Sequence, residues 1–352
     1  MLARLKDGEA SVPPLLIRWT AGTGPRGGEA DVTAEVRWEG REFRFVAELK
    51  GRSTPRTFVN AVAQSREYAA RAGRYPMIVL PYLAPERLDE LAGLGVSGID
   101  LCGNGIVTVP GELFVLRSGS PNKYRESYPI RAVYRGATSL VARALLLRPV
   151  SESLSDLDGF IRSRGGAITL TTISKALRRM EDDVLIERKG GWARLLQPEG
   201  LLDKLVASYE APKLRKTFIG STTLDRAALG DKLSQLESRA VFTGQSSTER
   251  YAVMGREDRL RVYCESTSEL VEMLGADAKP GERFANLELY ETVEPTVYFD
   301  ARLDGRTPFA SPIQAYIELA TGDKREQDVS KQIRSLILRE AGQIEGGSDG
   351  DE

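Results

Sequence analysis

Residues 139–195 narrow the possible folds more than any other stretch, because their apolar periodicity changes in a fixed order. Ser139–Leu147 carries Leu140, Ala144, Leu145 and Leu147, which predicts a first helix. Ser151–Ile161 predicts a second, and Gly165-Gly166 breaks the pattern. In Thr169–Glu181, Leu170, Ile173, Leu177 and Met180 recur at spacings of three and four, so a third helix should turn them inward. Leu185–Leu195 then reads as two short strands around Gly190-Gly191.

Three helices followed by a hairpin within residues 137–208 predict a winged helix-turn-helix. The outward positions of its third helix are Thr171, Thr172, Ser174, Lys175, Arg178 and Arg179. Hydroxyls and cations suit phosphate oxygens and guanine edges. Arg188, Lys189 and Arg194 fall on the hairpin, where a wing meets the DNA backbone. Charge supports this reading. Residues 1–116 hold 14 Lys/Arg and 14 Asp/Glu, residues 117–194 hold 15 and 8, and residues 195–352 hold 20 and 28. A net charge of −1 thus conceals a basic middle of +7 beside an acidic −8. Such a footprint points to double-stranded DNA as a partner.

The 352 residues contain no histidine and two distant cysteines, Cys102 and Cys264. Imidazole catalysis, His-ligated zinc and a cysteine framework are therefore excluded. Cys102 reads as a small buried hydrophobe. No apolar run reaches the roughly 18 residues of a membrane span, and the first residues do not read as a signal peptide. The expectation is a cytoplasmic protein without a membrane partner or internal repeat.

Ahead of this block, Leu15–Thr20, Asp31–Trp38 and Glu42–Leu49 read as strands, the last two joined by the turn Glu39-Gly40-Arg41. Gly22–Gly28 reads as a loop, Phe58–Ala72 and Pro85–Leu94 as helices, and Met77–Leu80 as a buried strand. A strand pair is expected around Cys102-Gly-Asn-Gly105. Asp31, the tripeptide Glu48-Leu-Lys50, and Gln64 with Tyr68 fall in an order that resembles the PD-(D/E)xK nucleases, the last two being similar to the QxxxY feature of RecB-type enzymes. That resemblance implies catalysis by Asp31, Glu48, Lys50, Gln64 and Tyr68, with Asp31 and Glu48 holding Mg²⁺. Lys50, two residues beyond Glu48, shares its strand face. The chain departs from the pattern in having only 30 residues before Asp31, and Ala30 rather than Pro. A degenerate, metal-free scaffold with Glu48 and Lys50 as a surface pair is the competing reading, and the one expected. It requires no cofactor.

Further along, Ser246-Ser247 are expected to cap a short helix, and Ser311-Pro312 to open another with Ile313, Tyr316, Ile317 and Ala320 inward. Arg325–Arg339 should follow as a helix with Val329, Ile333, Leu336 and Ile337 inward. Together with the 139–205 block and Leu201-Leu202-Asp203, the stretches Phe242-Thr-Gly-Gln-Ser-Ser247 and Ser311-Pro-Ile-Gln-Ala-Tyr316 resemble AbiEi-type antitoxins of type IV toxin–antitoxin (abortive infection) systems. Ile99-Asp-Leu-Cys-Gly-Asn104 is similar to longer relatives with a nuclease-like first domain. The resemblance implies a repressor of its own operon that counteracts a nucleotidyltransferase-type toxin. The expected architecture is α/β and multidomain: a nuclease-like α/β domain (1–117), a linker (118–136), the winged helix-turn-helix (137–208), a C-terminal α/β domain (209–342) and a disordered acidic tail (343–352).

Overall fold

The computed structural model describes Leu5 and residues 12–21, 31–124, 133–253 and 259–345. The loop 22–28, most of the end of the expected linker and the tail beyond 345 lie outside the described residues. The chain is a mixed α/β protein of two compact units, Met1–Pro129 and Ile130–Glu352.

The first unit contains β1 (Leu16–Ala21), β2 (Val32–Trp38), β3 (Arg41–Leu49), α1 (Pro55–Ala72), β4 (Tyr75–Leu80), α2 (Pro85–Leu94), β5 (Ser97–Asp100), β6 (Gly105–Val109) and β7 (Leu113–Arg117). The strands form one sheet in chain order. β1 to β3 pair antiparallel, β3 to β5 parallel through the crossovers α1 and α2, and β5 to β7 antiparallel. Glu39 and Gly40 both take positive φ, 48° and 78°. Two such residues make the tight turn whose twist matches its strands, and Trp38 pairs with Arg41 as the register demands. Thr54 caps α1 by accepting from the Thr57 amide, and Gly73 ends it at φ 61°. Met77–Leu80 is wholly buried, as an interior parallel strand requires. One sheet face packs Phe45, Met77, Ile99 and Val107; the other packs Ile78 and Ile106 against Phe58 and Leu91 of the crossover helices. A Cβ on Gly98 would lie 2.4 Å from Leu91 Cδ1, so glycine there lets α2 close on β5.

The bend between β5 and β6 is more than a hairpin turn. Asp100 is fully buried, and Oδ1 accepts from the amides of Cys102 and Asn104, both at 2.8 Å. Oδ2 accepts from the Leu83 amide at 2.9 Å and Asn104 Nδ2 at 2.7 Å. Asn104 then holds the Ser120 backbone through both its amide atoms. Cys102 is buried, as expected.

The second unit opens with a 3₁₀ turn, Gly136–Ser139. It continues with α3 (Leu140–Leu147), β8 (Val150–Ser151), α4 (Leu154–Ser163), α5 (Leu170–Asp182), β9 (Ile186–Lys189), β10 (Trp192–Leu195) and α6 (Pro198–Ala207). β8, β10 and β9 form a three-stranded antiparallel sheet in that order. Gly190 and Gly191, at φ 59° and 101°, make its turn. Ser153 caps α4 at the Asp156 amide, so the helix starts inside the predicted 151–161 stretch. In α5 the buried residues are Ile173, Ala176, Leu177 and Met180. Leu170, expected inward, is 47% exposed. It is the first helical residue, and the inward stripe starts one turn later.

The rest comprises β11 (Lys216–Thr222), α7 (Arg226–Leu233), β12 (Ala240–Phe242), α8 (Gln245–Thr248), β13 (Leu260–Cys264), α9 (Thr267–Leu274), β14 (Ala278–Pro280), β15 (Leu287–Glu291), α10 (Pro295–Tyr298), β16 (Arg302–Asp304), β17 (Thr307–Phe309), α11 (Pro312–Ala320) and α12 (Lys324–Glu345). Its seven strands are ordered β14-β11-β15-β13-β12-β17-β16. Ser311 caps α11 as expected, and Ile313, Tyr316 and Ile317 are buried. Ser246 and Ser247 do not cap α8. Both lie inside it and are buried, and Gly244, at φ 53°, precedes it. The expected boundary near 208 falls within one core. Leu140, Leu145, Ile173 and Leu202 share that core with Ile313, Ile317, Val329, Ile333 and Ile337. Leu336 is only half-buried.

Candidate functional site

Capping and burial decide which of the expected DNA-facing residues remain available. Thr169 caps α5 at the Thr172 amide, and its hydroxyl lies 2.9 Å from that of Thr172. Thr172 is thereby occupied and half-buried, as is Ser174. Thr171, Lys175 and Arg178 are exposed. Acids on the helix, Glu181 and Asp182, come only in its last turn, so its first ten residues present cations alone. On the β9–β10 hairpin Lys189 and Arg194 are exposed and Arg188 is half-buried.

Arg179 departs from the expectation. Its Nε donates to Asp183 Oδ2 at 3.1 Å, and the Tyr134 hydroxyl donates to the same oxygen at 2.6 Å. Asp183 and Tyr134 are buried. Burial and the Asp183 carboxylate push the Tyr134 hydroxyl far above its ordinary range, so it stays a donor. A buried carboxylate needs its partners, and Arg179 is drawn into the fold to supply one.

In the first unit the pairing of Val32 with Ala47 sets Asp31 opposite Glu48. Asp31 Oδ2 accepts from the Leu49 amide at 3.0 Å. Lys50 Nζ lies 2.5 Å from Glu48 Oε1 and 2.7 Å from Gln64 Oε1 on α1. Four of the five nuclease-like residues thus converge across two strands and a helix. Tyr68, half-buried one turn beyond Gln64, makes no hydrogen bond to them among the described residues. Burial, and then the charge of Asp31, raise the Glu48 carboxyl above its usual range against the pull of Lys50. The two carboxylates are the oxygen donors a hard cation would use, but the Lys50 ammonium occupies Glu48 Oε1 as the site stands. Among the described residues no group of three or more His, Cys, Asp or Glu gathers around a common point.

The raised Glu48 carboxyl has a consequence for stability. The neutral acid is favoured in the fold, so ionising Glu48 costs folding free energy as pH rises through its folded value. Glu48→Gln is expected to unfold at higher denaturant concentration than wild type at pH 7. The gain should vanish below about pH 4, where the unfolded acid is also protonated. Equal midpoints at pH 7 would contradict it.

The 242–247 stretch and α11, which carries the 311–316 stretch, meet at Glu318, which sequence reasoning missed. Its Oε2 accepts from Thr243 Oγ1 at 2.5 Å and the Gly244 amide at 2.8 Å, and its Oε1 from Gln314 Nε2 at 2.7 Å. The i,i+4 spacing of Gln314 and Glu318 on α11 was the available signal.

No family model, no curated protein and no solved structure matches the chain. Among the described residues no helix is long and apolar enough to cross a membrane.

Proposed function

We propose that the protein is a DNA-binding regulator that grips duplex DNA with a winged helix-turn-helix over residues 137–208. The observation that carries this reading is the exposed, acid-free face of α5, with Thr171, Lys175 and Arg178, next in chain order to a hairpin bearing Lys189 and Arg194. Helix, strand, two helices and a two-stranded hairpin closing on the first strand is the order a winged helix uses, and recognition helices read base edges from their N-terminal turns. The resemblance in residues 99–104, 242–247 and 311–316 favours an antitoxin that represses its own operon, with a nucleotidyltransferase-type toxin as cognate partner. Titrating labelled operon-upstream and unrelated duplexes at several salt concentrations tests the reading. Specific retention with a steep salt slope supports it, and no binding at low salt would end it.

A second reading is favoured by one observation, the convergence of Asp31, Glu48, Lys50 and Gln64. In a metal-dependent nuclease, Asp31 and Glu48 would hold Mg²⁺, which would supply charge stabilisation at the scissile phosphate. Lys50 would orient toward the phosphate, and Gln64 would hold Lys50 in place. The Lys50–Glu48 pair must loosen for this, because Oε1 is now taken by the ammonium. Supercoiled, linear and single-stranded DNA incubated with Mg²⁺ or Mn²⁺ should remain intact under the regulator reading. Cleavage by wild type that is lost in both Glu48→Ala and Lys50→Ala would make the nuclease reading the correct one.

A further inference from the structure

Leu170 is the first residue of α5, directly after the cap Thr169, and it is 47% exposed although its spacing belongs to the inward stripe. Ala167, Thr169 and Thr171 beside it are exposed as well. The Thr169 hydroxyl is spent on the Thr172 amide at 3.3 Å and the Thr172 hydroxyl at 2.9 Å. Its methyl is what that side chain has left for outside contacts. Residues 167–174 contain neither a charged side chain nor a carboxamide. The cations Lys175 and Arg178 start more than a turn beyond Leu170.

This composition limits which bases the start of α5 can read. Guanine is recognised by paired bonds from Arg or Lys, adenine by paired bonds from Asn or Gln, and cytosine by an acid. None of these residues stands in 167–174. The segment offers hydroxyls and methyl-bearing side chains instead. In the major groove thymine alone carries a methyl, on C5. Bringing that methyl against Leu170 takes apolar surface of both out of water, which is the favourable contact an exposed leucine can make there.

We infer that the first turn of α5 selects thymine by its 5-methyl group, and that Leu170 is the side chain that covers it. That role for Leu170 rests on the DNA-binding reading and names a base that the reading leaves open. Lys175 and Arg178 supply attraction to phosphates, which carries no base preference of its own.

Two duplexes of the operon-upstream sequence test this, one with thymine and one with deoxyuridine at every thymine position. They differ only in the C5 methyl groups. The full chain and Leu170→Ala are titrated against each by fluorescence anisotropy over a salt series. Burying one methyl contributes about fourfold in affinity, so wild type is expected to bind the thymine duplex at least that much more tightly. Leu170→Ala is expected to bind the two alike. Its salt slope should match that of wild type, since no charge changes. Equal wild-type affinity for the two duplexes, or a thymine preference kept in Leu170→Ala, would overturn the role of Leu170 while leaving DNA binding intact. Absence of binding to both duplexes at low salt would end the DNA-binding reading and this role with it. Leu170 is half in water and alanine is the best helix former, so the variant should fold. The thymine–uracil comparison on wild type needs no variant.

Discussion

Lys175→Ala, Arg178→Ala and Lys189→Ala combined should weaken duplex binding by about three orders of magnitude without unfolding the protein. Each charge-assisted contact contributes roughly 1.5 kcal/mol or more, and three together exceed about 4 kcal/mol. The slope of log affinity against log salt should flatten by about 2.7, three phosphates at about 0.9 each. These side chains are exposed, and among the described residues none forms an ion pair, so their loss orphans nothing in the fold. Arg179→Ala should behave differently. It removes a partner of buried Asp183, so its first effect is a lower unfolding midpoint. Thr171→Val, which keeps shape and removes the hydroxyl, should alter sequence preference more than the salt slope. Fluorescence anisotropy over a salt series separates these outcomes. An unchanged slope in the triple variant would remove α5 and the hairpin from the DNA interface.

The second large effect concerns the first unit. Asp100→Ala should cost about 3–5 kcal/mol, because it leaves several buried neutral donors without their acceptor. Four donors, the amides of Leu83, Cys102 and Asn104 and the side-chain amide of Asn104, lose their acceptor at once. An orphaned buried donor costs roughly 1–3 kcal/mol, and water reaching part of the site moderates the sum. Against a total stability of about 5–15 kcal/mol for a domain, that is enough to unfold a sizeable fraction of molecules. Asp100→Asn should be intermediate, because one oxygen stays and the other becomes a donor facing a donor. Chemical denaturation followed by tryptophan fluorescence reads the change, since Trp19 and Trp38 lie in this unit. A loss under about 1 kcal/mol would show that the 100–105 bend is only a turn.

Local chemistry was legible in the sequence to the extent that neighbours in the chain carry it. The Glu39-Gly40 turn, the Ser311 cap, the buried run Met77–Leu80 and the Gly190-Gly191 hairpin all follow from residues within a few positions of one another. β8 was not legible. Two residues are too few for any alternation, and only the pairing of Ser151 with Ala193 makes them a strand. Arg179 shows the same limit at a site. Its spacing marks it as outward like Arg178, yet a buried Asp183 four residues on, held from the far side by Tyr134, draws it back. The order Asp31, Glu48, Lys50, Gln64 was visible along the chain, but the 2.5 and 2.7 Å contacts of Lys50 exist only because β3 and α1 pack together.

By itself, then, the sequence determined the types of most elements, the basic middle, and the absence of imidazole chemistry, since these depend on periodicity, turn preference and composition. Tertiary structure alone decided that Phe299 and the helices α11 and α12 share a core with the helices before residue 208, while the seven-stranded sheet keeps a core of its own. It also decided that Glu318 gathers two distant motifs. The physical reason is one and the same. Burial and pairing depend on groups far apart in the chain that only packing brings within hydrogen-bond reach, and no local pattern encodes which of them will meet.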